Sequence, residues 1–523
     1  MSVKRIMGTE TEYGVSLAGG DRFNPVRLSY DVVDGASTPA TRHVRWDYRQ
    51  EDPVNDMRGH RLERAAARPD MLTDAPQLNI TNVIAANGAR VYVDHAHPEY
   101  SAPETRDPFD AVAWDMAGDR VMQAAAGRAS RETGRRIVLH RTNVDGKGAC
   151  WGTHENYLME RSVPFGRVER LMTLHFVTRQ IYASAGRVGI GERSETAGFQ
   201  LSQRADYIHA RVGLQTTFER PIINTRDEPH AACDRFRRLH VIVGDANRME
   251  TPQTLKLGVT SMLLWLLEHA DANGTDIDSL CASLELADPV DAMHRVSHDL
   301  TLDEPLALAS GGTATAWTIQ VRLRAAVYEA AAVDYGTDTR GEPAWPDRST
   351  ASVMAMWGQA LADVAAIRHA DRDTRLGGLE GEAGRIEWFA KWRLLERLRA
   401  RRGMAWDDAR VRAADLSWAA LDPATSLFAR MERLTERVLD PGAVDRAVEQ
   451  APEDTRAWLR AAVVRRFPGE VIAASWTHLT VRDAQGEPFT FDMSDPTRYG
   501  REECADALSH AGSAVEMLGM LHS

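Results

Sequence analysis

Gly88-Ala-Arg90-Val-Tyr92-Val-Asp94-His95-Ala-His97-Pro98-Glu99-Tyr100 is the stretch on which the reading of the fold turns. The period-two alternation from Ala89 to His95 marks a strand, because successive side chains of extended backbone point to opposite faces. Arg90, Tyr92 and Asp94 then share one face, and Val91 and Val93 share the other. A strand that buries its valines and gathers arginine, phenol and carboxylate opposite them is suited to line a cleft. Asp94, at the strand's end, is placed to serve as nucleophile or general base. Glu99, after the turn at Pro98, reaches back towards the same region.

Three further clusters extend the pattern. In Gly8-Thr9-Glu10-Thr11-Glu12-Tyr13-Gly14, on an opening strand from Val3 to Ser16, Glu10 and Glu12 project side by side. Paired carboxylates repel unless a cation or an arginine neutralises them, and magnesium takes one or two carboxylates together with substrate phosphates. Thr142-Asn143-Val-Asp145-Gly146-Lys147-Gly148 precedes Gly152-Thr-His154-Glu155-Asn156-Tyr157. Its glycines would let backbone amides approach a phosphate, although the spacing matches neither a Walker nor a Rossmann pattern. A lone His-Glu pair is more often structural than ligating. The last cluster comprises Arg204, then Asn224-Thr-Arg226-Asp227-Glu228-Pro229-His230, then the strand Arg238-Leu239-His240-Val-Ile-Val243. Arginines that converge on a cleft suit bidentate recognition of phosphate or carboxylate. His240, as a neutral imidazole, would complete a cation's shell. Together the clusters predict a curved sheet whose inner face binds ATP and divalent ions between acids and arginines, the layout of the glutamine synthetase class of carboxylate-amine chemistry.

The rest of the chain frames this site. With 523 residues and 43% apolar composition, a substantial core is available. Acidic residues outnumber basic ones 75 to 63, a formal net charge of -12, which argues against a general nucleic-acid or membrane-surface binder. Cys150, Cys233, Cys281 and Cys504 are far apart and form no CxxC pair, so a reducing cytoplasm is the expected compartment. The N-terminus lacks the apolar run of a signal peptide, and the apolar stretch around 261–267 is too short to span a bilayer. Residues from about Gly19 to Asn82 show little periodicity, and Arg42 to Gln77 reads as a long functional loop. Asp107-Pro108 opens a helix with Val112, Met116 and Val121 on its apolar stripe, and Thr251-Pro252 opens another. Strands are expected at 136–140, 156–159, 198–204 and 238–243, followed by a mainly helical stretch from Ile277 to Met431. A hairpin signature follows, Trp476 to Asp483, a turn at Gln485-Gly486, then Phe489 to Met493. The expected fold is α+β: a large domain over 1–435 with a curved antiparallel sheet lined by helices, and a small C-terminal α/β domain over 436–523.

The quoted motifs resemble those of the Pup-processing family of actinobacteria, which contains Pup ligases and deamidase/depupylases within the glutamine synthetase-like superfamily. The resemblance is nearly continuous to Leu266 and looser from Arg385 to Trp406 and at the C-terminus. Three features are similar to the hydrolytic branch: Val93-Asp-His-Ala-His-Pro-Glu-Tyr-Ser-Ala-Pro-Glu104, Asn143-Val-Asp-Gly-Lys-Gly-Ala149, and the long insert before Asn82. The sequence departs from its relatives at Ala232-Cys233 and Cys150-Trp151, neither of which carries an expected role. The resemblance implies an ATP- and magnesium-dependent hydrolase that cleaves the isopeptide bond between the C-terminal Glu of Pup and a substrate lysine. The same site would deamidate the C-terminal Gln of Pup to Glu. It implies Asp94 as the catalytic aspartate, with Arg204 and Arg226 facing phosphate or the reacting carboxyl. Glu10, Tyr92, Glu99, Glu155 and His240 fall where metal ligands are expected, and Arg90, Ser101, Asn156, Arg238 and Trp476 fall in the nucleotide site. Pup and pupylated proteins are the implied partners, with no nucleic acid and no membrane. Alternatives within the same reading are a Pup ligase and a catalytically silent Pup-binding regulator. Trp388, Trp392 and Leu395, interleaved with Arg and Lys, offer a groove for the acidic tag, against a core-packing helix as the plainer expectation.

Overall fold

The computed structural model describes residues 2–20, 22–68, 72 and 82–521. The strands that build the site are β1 (Met7–Glu12), β2 (Arg45–Trp46), β3 (Asn82–Ile84), β4 (Arg90–Asp94), β5 (His97–Ser101), β6 (Thr153–Glu160), β7 (Phe236–Val241), β8 (Val471–Ala474), β9 (His478–Arg482) and β10 (Pro488–Asp492). The helices that support them are α1 (Pro25–Ala36), α2 (Pro108–Thr133), α3 (Phe165–Thr178), α4 (Glu250–Asn273), α5 (Glu387–Arg402) and α6 (Ala457–Arg466). A six-stranded sheet runs in the order β7-β6-β1-β5-β4-β3, antiparallel at every pairing. Its register sets the site: Glu10 lies opposite His154 on one side and Ser101 on the other, and Glu99 lies between Glu12 and Tyr92.

One face of this sheet is covered by helices. Val91, Val93 and Tyr100 pack with Leu28 and Val32 of α1 and with Met122 and Ala125 of α2. Tyr157, Met159, Leu239 and Val241 pack with Leu171 of α3 and Leu255 of α4. Because side chains alternate, burying these residues obliges their neighbours to face the other way. Asp107 caps α2, its carboxylate accepting from the Phe109 amide at 2.9 Å, with Pro108 at the first helical position and Gly134 in the left-handed region at its end.

The helix α1 lies inside the stretch expected to be irregular. Asn24 caps it, with its side chain accepting from the Arg27 amide, and Pro25 occupies the first turn. Gly35 allows the helix to press directly on the backbone of Ala125, where a Cβ would collide. The described part of the insert is likewise built into the protein rather than free of it. β2 pairs in parallel with β8 to complete a sheet of order β10-β9-β8-β2. Val44 and Ile84 join Leu459, Leu479, Phe491 and Met517 in one core. Residues 69–71 and 73–77 of the expected insert lie outside the described residues. Two-residue strands have no periodicity to read, which is why this segment looks like loop in sequence. The basic helix α5 resolves in favour of core packing: Trp388, Trp392 and Leu395 are buried, and the Trp388 indole donates to the Ile181 carbonyl at 2.9 Å. They do not form a groove for a partner.

Candidate active site

The uncovered face of the six-stranded sheet carries two groups of potential ligands. Glu10, His154 and His240 each bring a donor atom within 4.8 Å of the others, and so do Glu12, Asp94 and Glu99. Each residue comes from a different strand or strand position, brought together by register alone. His154 Nδ1 lies 3.2 Å from Glu10 Oε2, and the Asn156 amide donates to Glu10 Oε1 at 3.0 Å. Asn156 Oδ1 in turn accepts from Arg238 at 2.5 Å and from His240 Nδ1 at 2.8 Å. With Nδ1 donating to Asn156, the neutral His240 ring keeps its other nitrogen lone pair for a cation. Arg238 also donates to the Glu228 carbonyl at 2.6 Å.

Two adjoining cavities share this face. The smaller, about 80 Å³, lies among Gly8, Ser101, Asn156, Arg238 and Trp476. The larger, about 200 Å³, is lined by Arg90, Tyr92, Asp94, Glu99, Arg226 and His240 among others. Glu10, Ser101, His230, Arg238 and Trp476 border both, so the two form one cleft. The insert and the C-terminal sheet close its rim. Arg90 stacks on the rings of Tyr92 and Trp46 at 3.9 and 4.2 Å, and Trp46 meets Trp476 edge-on at 5.1 Å.

The electrostatics separate the acids into two kinds. Burial works to raise Glu10, but the hydrogen bond from His154 and the attraction of His240, His154 and Arg238 outweigh it and hold its carboxyl well below the usual range. Burial likewise opposes ionisation of Asp94, and the His95 hydrogen bond with the charges of His95, His154 and Arg226 brings it below its ordinary value. Glu99 goes the other way, raised well above its ordinary value by burial and by the charges of Asp94, Glu12 and Glu10. Three carboxylates that cannot all shed their protons comfortably are the donor set a hard divalent cation relieves. Burial and Arg238 push His240 well below its ordinary value, which favours the neutral imidazole, the form that ligates.

Most of the expected site residues meet here. Asp94, Arg90, Tyr92, Glu99, Ser101, Asn156, Arg238, His240, Glu10, Arg226 and Trp476 all border the cleft. Glu155 does not. Within β6 it points to the helix-covered face, fully buried, where Arg179 donates to its two oxygens at 2.6 and 2.9 Å and the Tyr157 hydroxyl at 2.6 Å. At this point of β6 it is the neighbour His154 that faces the cleft, because alternation admits only one of two adjacent residues to a face. Arg204 is buried to one side, donating to the Trp151 carbonyl, and does not line either cavity. Glu12, noted in sequence only as the partner of Glu10, joins Asp94 and Glu99. No local pattern in the sequence singles it out, because the register that sets Glu12 opposite Glu99 joins strands distant in sequence.

A six-stranded antiparallel sheet with a cleft beside clustered carboxylates is the arrangement expected of the glutamine synthetase-like class. The chain belongs to the Pup-ligase protein family, whose model matches residues 5–480. It is similar to the Pup deamidase/depupylase of Mycobacterium tuberculosis, 40% identical over 99% of both chains. Among solved structures it is similar to the Pup ligase PafA in complex with Pup, with a TM-score of 0.74, 26% identity, and coverage of 99% of this chain and 92% of that one. PafA in complex with ADP gives a TM-score of 0.68 at 29% identity, covering 84% of this chain and 90% of that one. Among the described residues no helix is long and apolar enough to cross a membrane.

Proposed function

We propose that this chain is a Pup deamidase/depupylase that uses ATP and magnesium as cofactors. It hydrolyses the side-chain amide of the C-terminal residue of Pup, releasing either ammonia from a terminal Gln or the lysine of a pupylated protein. The observation that carries the hydrolytic reading is the 40% identity to the Mycobacterium tuberculosis deamidase/depupylase over 99% of both chains. Both reactions transfer an acyl group from the same γ-carbonyl to water, so one site serves both.

Asp94 acts on that carbonyl, as nucleophile or as base towards water. Either role needs an ionised carboxylate, and the lowered pKa of Asp94 supports one. Arg226 lines the same cavity and faces the charge that develops on the carbonyl oxygen; removing such a donor costs about 3 kcal/mol of barrier. Arg204, set back from the cleft, acts on this reading through the Trp151 backbone. Glu10, His154 and His240 with Tyr92 would hold one magnesium, and Glu12 and Glu99 beside Asp94 would hold another. Gly8, Ser101, Asn156, Arg238 and Trp476, which line the smaller cavity, would receive the nucleotide together with Arg90 of the larger one, and ADP in the PafA structure supports a nucleotide in this fold. Bound magnesium and ATP supply the positive charge and the phosphate that the acids and arginines are arranged to hold. We assign residues 1–435 to the catalytic domain and 436–523 to a smaller C-terminal domain, to whose sheet β2 lends a strand. The cytoplasm is the proposed compartment, supported by four unpaired cysteines.

The test is release of Pup from a purified conjugate in the presence of ATP and magnesium. Release supports the hydrolase. Formation of conjugates from Pup ending in Glu, with ATP consumed, would make the chain a ligase, and binding of Pup without either reaction would make it a regulator.

A further inference from the structure

On the helix-covered face of the sheet, acid–arginine pairs are buried directly behind the strands that carry the ligand groups. Asp115 of α2 is 1% exposed. One of its oxygens accepts from both Thr9 Oγ1 at 2.8 Å and Thr11 Oγ1 at 3.2 Å. These threonines are the residues on either side of Glu10 in β1, and Thr11 also adjoins Glu12. By alternation they point backwards while the two glutamates point into the cleft. The other Asp115 oxygen accepts from Arg141, which donates onward to Asp119 at 2.9 Å and to Gln253 of α4 at 3.2 Å. The strand bearing Glu10 and Glu12 is thus tied through Asp115 to two helices at once. The same device recurs one strand over. Glu155, paired with Arg179 at the end of α3, anchors β6 from behind while His154 and Asn156 project into the cleft.

Stability alone does not explain the arrangement. A buried ion pair is weak evidence for stability, since apolar side chains of similar volume often do as well. What a carboxylate bridging two threonines provides, and methyl groups do not, is a directional restraint on the rotation and height of the strand between them. Groups that bind a cation must be held within about 0.5 Å of their working positions.

We propose that Asp115 is a positioning residue: through Thr9 and Thr11 it sets the placement of the Glu10 and Glu12 carboxylates for divalent-cation binding. This rests on the reading of the cleft face as a cation site. The test uses the full chain and Mn²⁺ as probe, with binding followed by loss of the free-ion spectroscopic signal. Thr9→Val/Thr11→Val keeps side-chain shape and removes both hydroxyls, and Thr9→Ser/Thr11→Ser restores them. Asp115→Asn weakens the bridge from the other side. The dissociation constant for Mn²⁺ should rise about 10-fold in the valine variant and in Asp115→Asn, as loss of outer partners does at metal sites. The serine variant should stay near wild type. Melting temperatures ensure that every protein is compared folded, and the single threonine variants replace the double one if it melts below the assay temperature. A residue that only stabilised the fold would lower the melting temperature and leave Mn²⁺ binding alone, and that result overturns the proposal. Failure of the wild-type protein itself to bind Mn²⁺ overturns the cation reading and this proposal together.

Discussion

At Asp94 the conflict between burial and function is resolved by neighbours. The carboxyl is half-buried beside other acids, yet His95, 3.0 Å away, and Arg226 favour its charged form. Replacing it with Asn removes the charge and keeps the shape. Asp94→Asn is therefore expected to lower the rate of both deamidation and depupylation by at least about 10²-fold, while nucleotide affinity measured by titration stays close to wild type. The adjacent pair His154 and Glu155 gives a sharper test of which face of β6 does what. His154→Ala, like Glu10→Ala or Glu99→Ala, should shift the magnesium midpoint of ATP binding upwards, since each loses a ligand atom from the cleft. Glu155→Ala should act on the fold instead. It leaves Arg179 buried without its partner, a loss of about 3–5 kcal/mol in chemical denaturation. The two adjacent substitutions should thus be separable by assay: one in the magnesium titration, the other in the unfolding curve.

The insert is an element made of pieces too short to stand alone. β2 gains its hydrogen bonds from β8, and Trp46 is held between Arg90 and Trp476, with its indole donating to Glu51 at 2.7 Å. Further along, Asp56 accepts from the Thr225 hydroxyl at 2.9 Å, and the Met57 amide donates to the Thr225 carbonyl at 2.8 Å. This grips the backbone next to Arg226. Complete removal of the insert would strip a strand from the C-terminal sheet, so a melting temperature unchanged by such a deletion is not the expected outcome. Trp46→Ala is the more selective probe. It should cost about 3 kcal/mol in stability and weaken nucleotide binding, because Arg90 loses the ring it stacks on. Denaturant unfolding and a nucleotide titration on the same preparation would check both effects.

Across the whole molecule, the large sheet and the C-terminal sheet are joined at a buried charge cluster. Glu104, just beyond β5, accepts from Arg456 at 2.8 Å and from Arg460, and the Thr455 hydroxyl donates to its carbonyl at 2.8 Å. Burial opposes ionisation of Glu104, but the charges of Arg460 and Arg456 and their hydrogen bonds bring its pKa from the ordinary 4.5 to about 2. A carboxylate whose pKa is lower when folded contributes stability that is fully present above its unfolded value and is lost as pH falls through the folded one. The contribution, about 3 kcal/mol, should therefore be intact above pH 4.5 and fade between there and about pH 2. Glu104→Gln should lower stability at neutral pH and flatten the acid limb over that window. Denaturation curves of both proteins across the range would show it, and parallel pH profiles would count against the clamp.

Much of the site could be read without coordinates, because it depends on local rules. Alternation along Arg90-Val-Tyr92-Val-Asp94 by itself assigned Asp94 and Arg90 to one face, and Asp107-Pro108 by itself opened α2. Each rests on a period or a cap that a few consecutive residues define. The tertiary structure decided what depends on residues distant in sequence. Which of His154 and Glu155 faces the cleft follows from which side of β6 is covered by α3 and α4, and no window of sequence contains both strand and cover. Trp388 and Trp392 look the same in sequence whether they line a groove or fill a core. Trp46 finds its partner 430 positions away, at Trp476, only when the C-terminal sheet folds against the large one. Local patterning determined the direction of side chains along each strand, and long-range packing determined which of those directions is the inside.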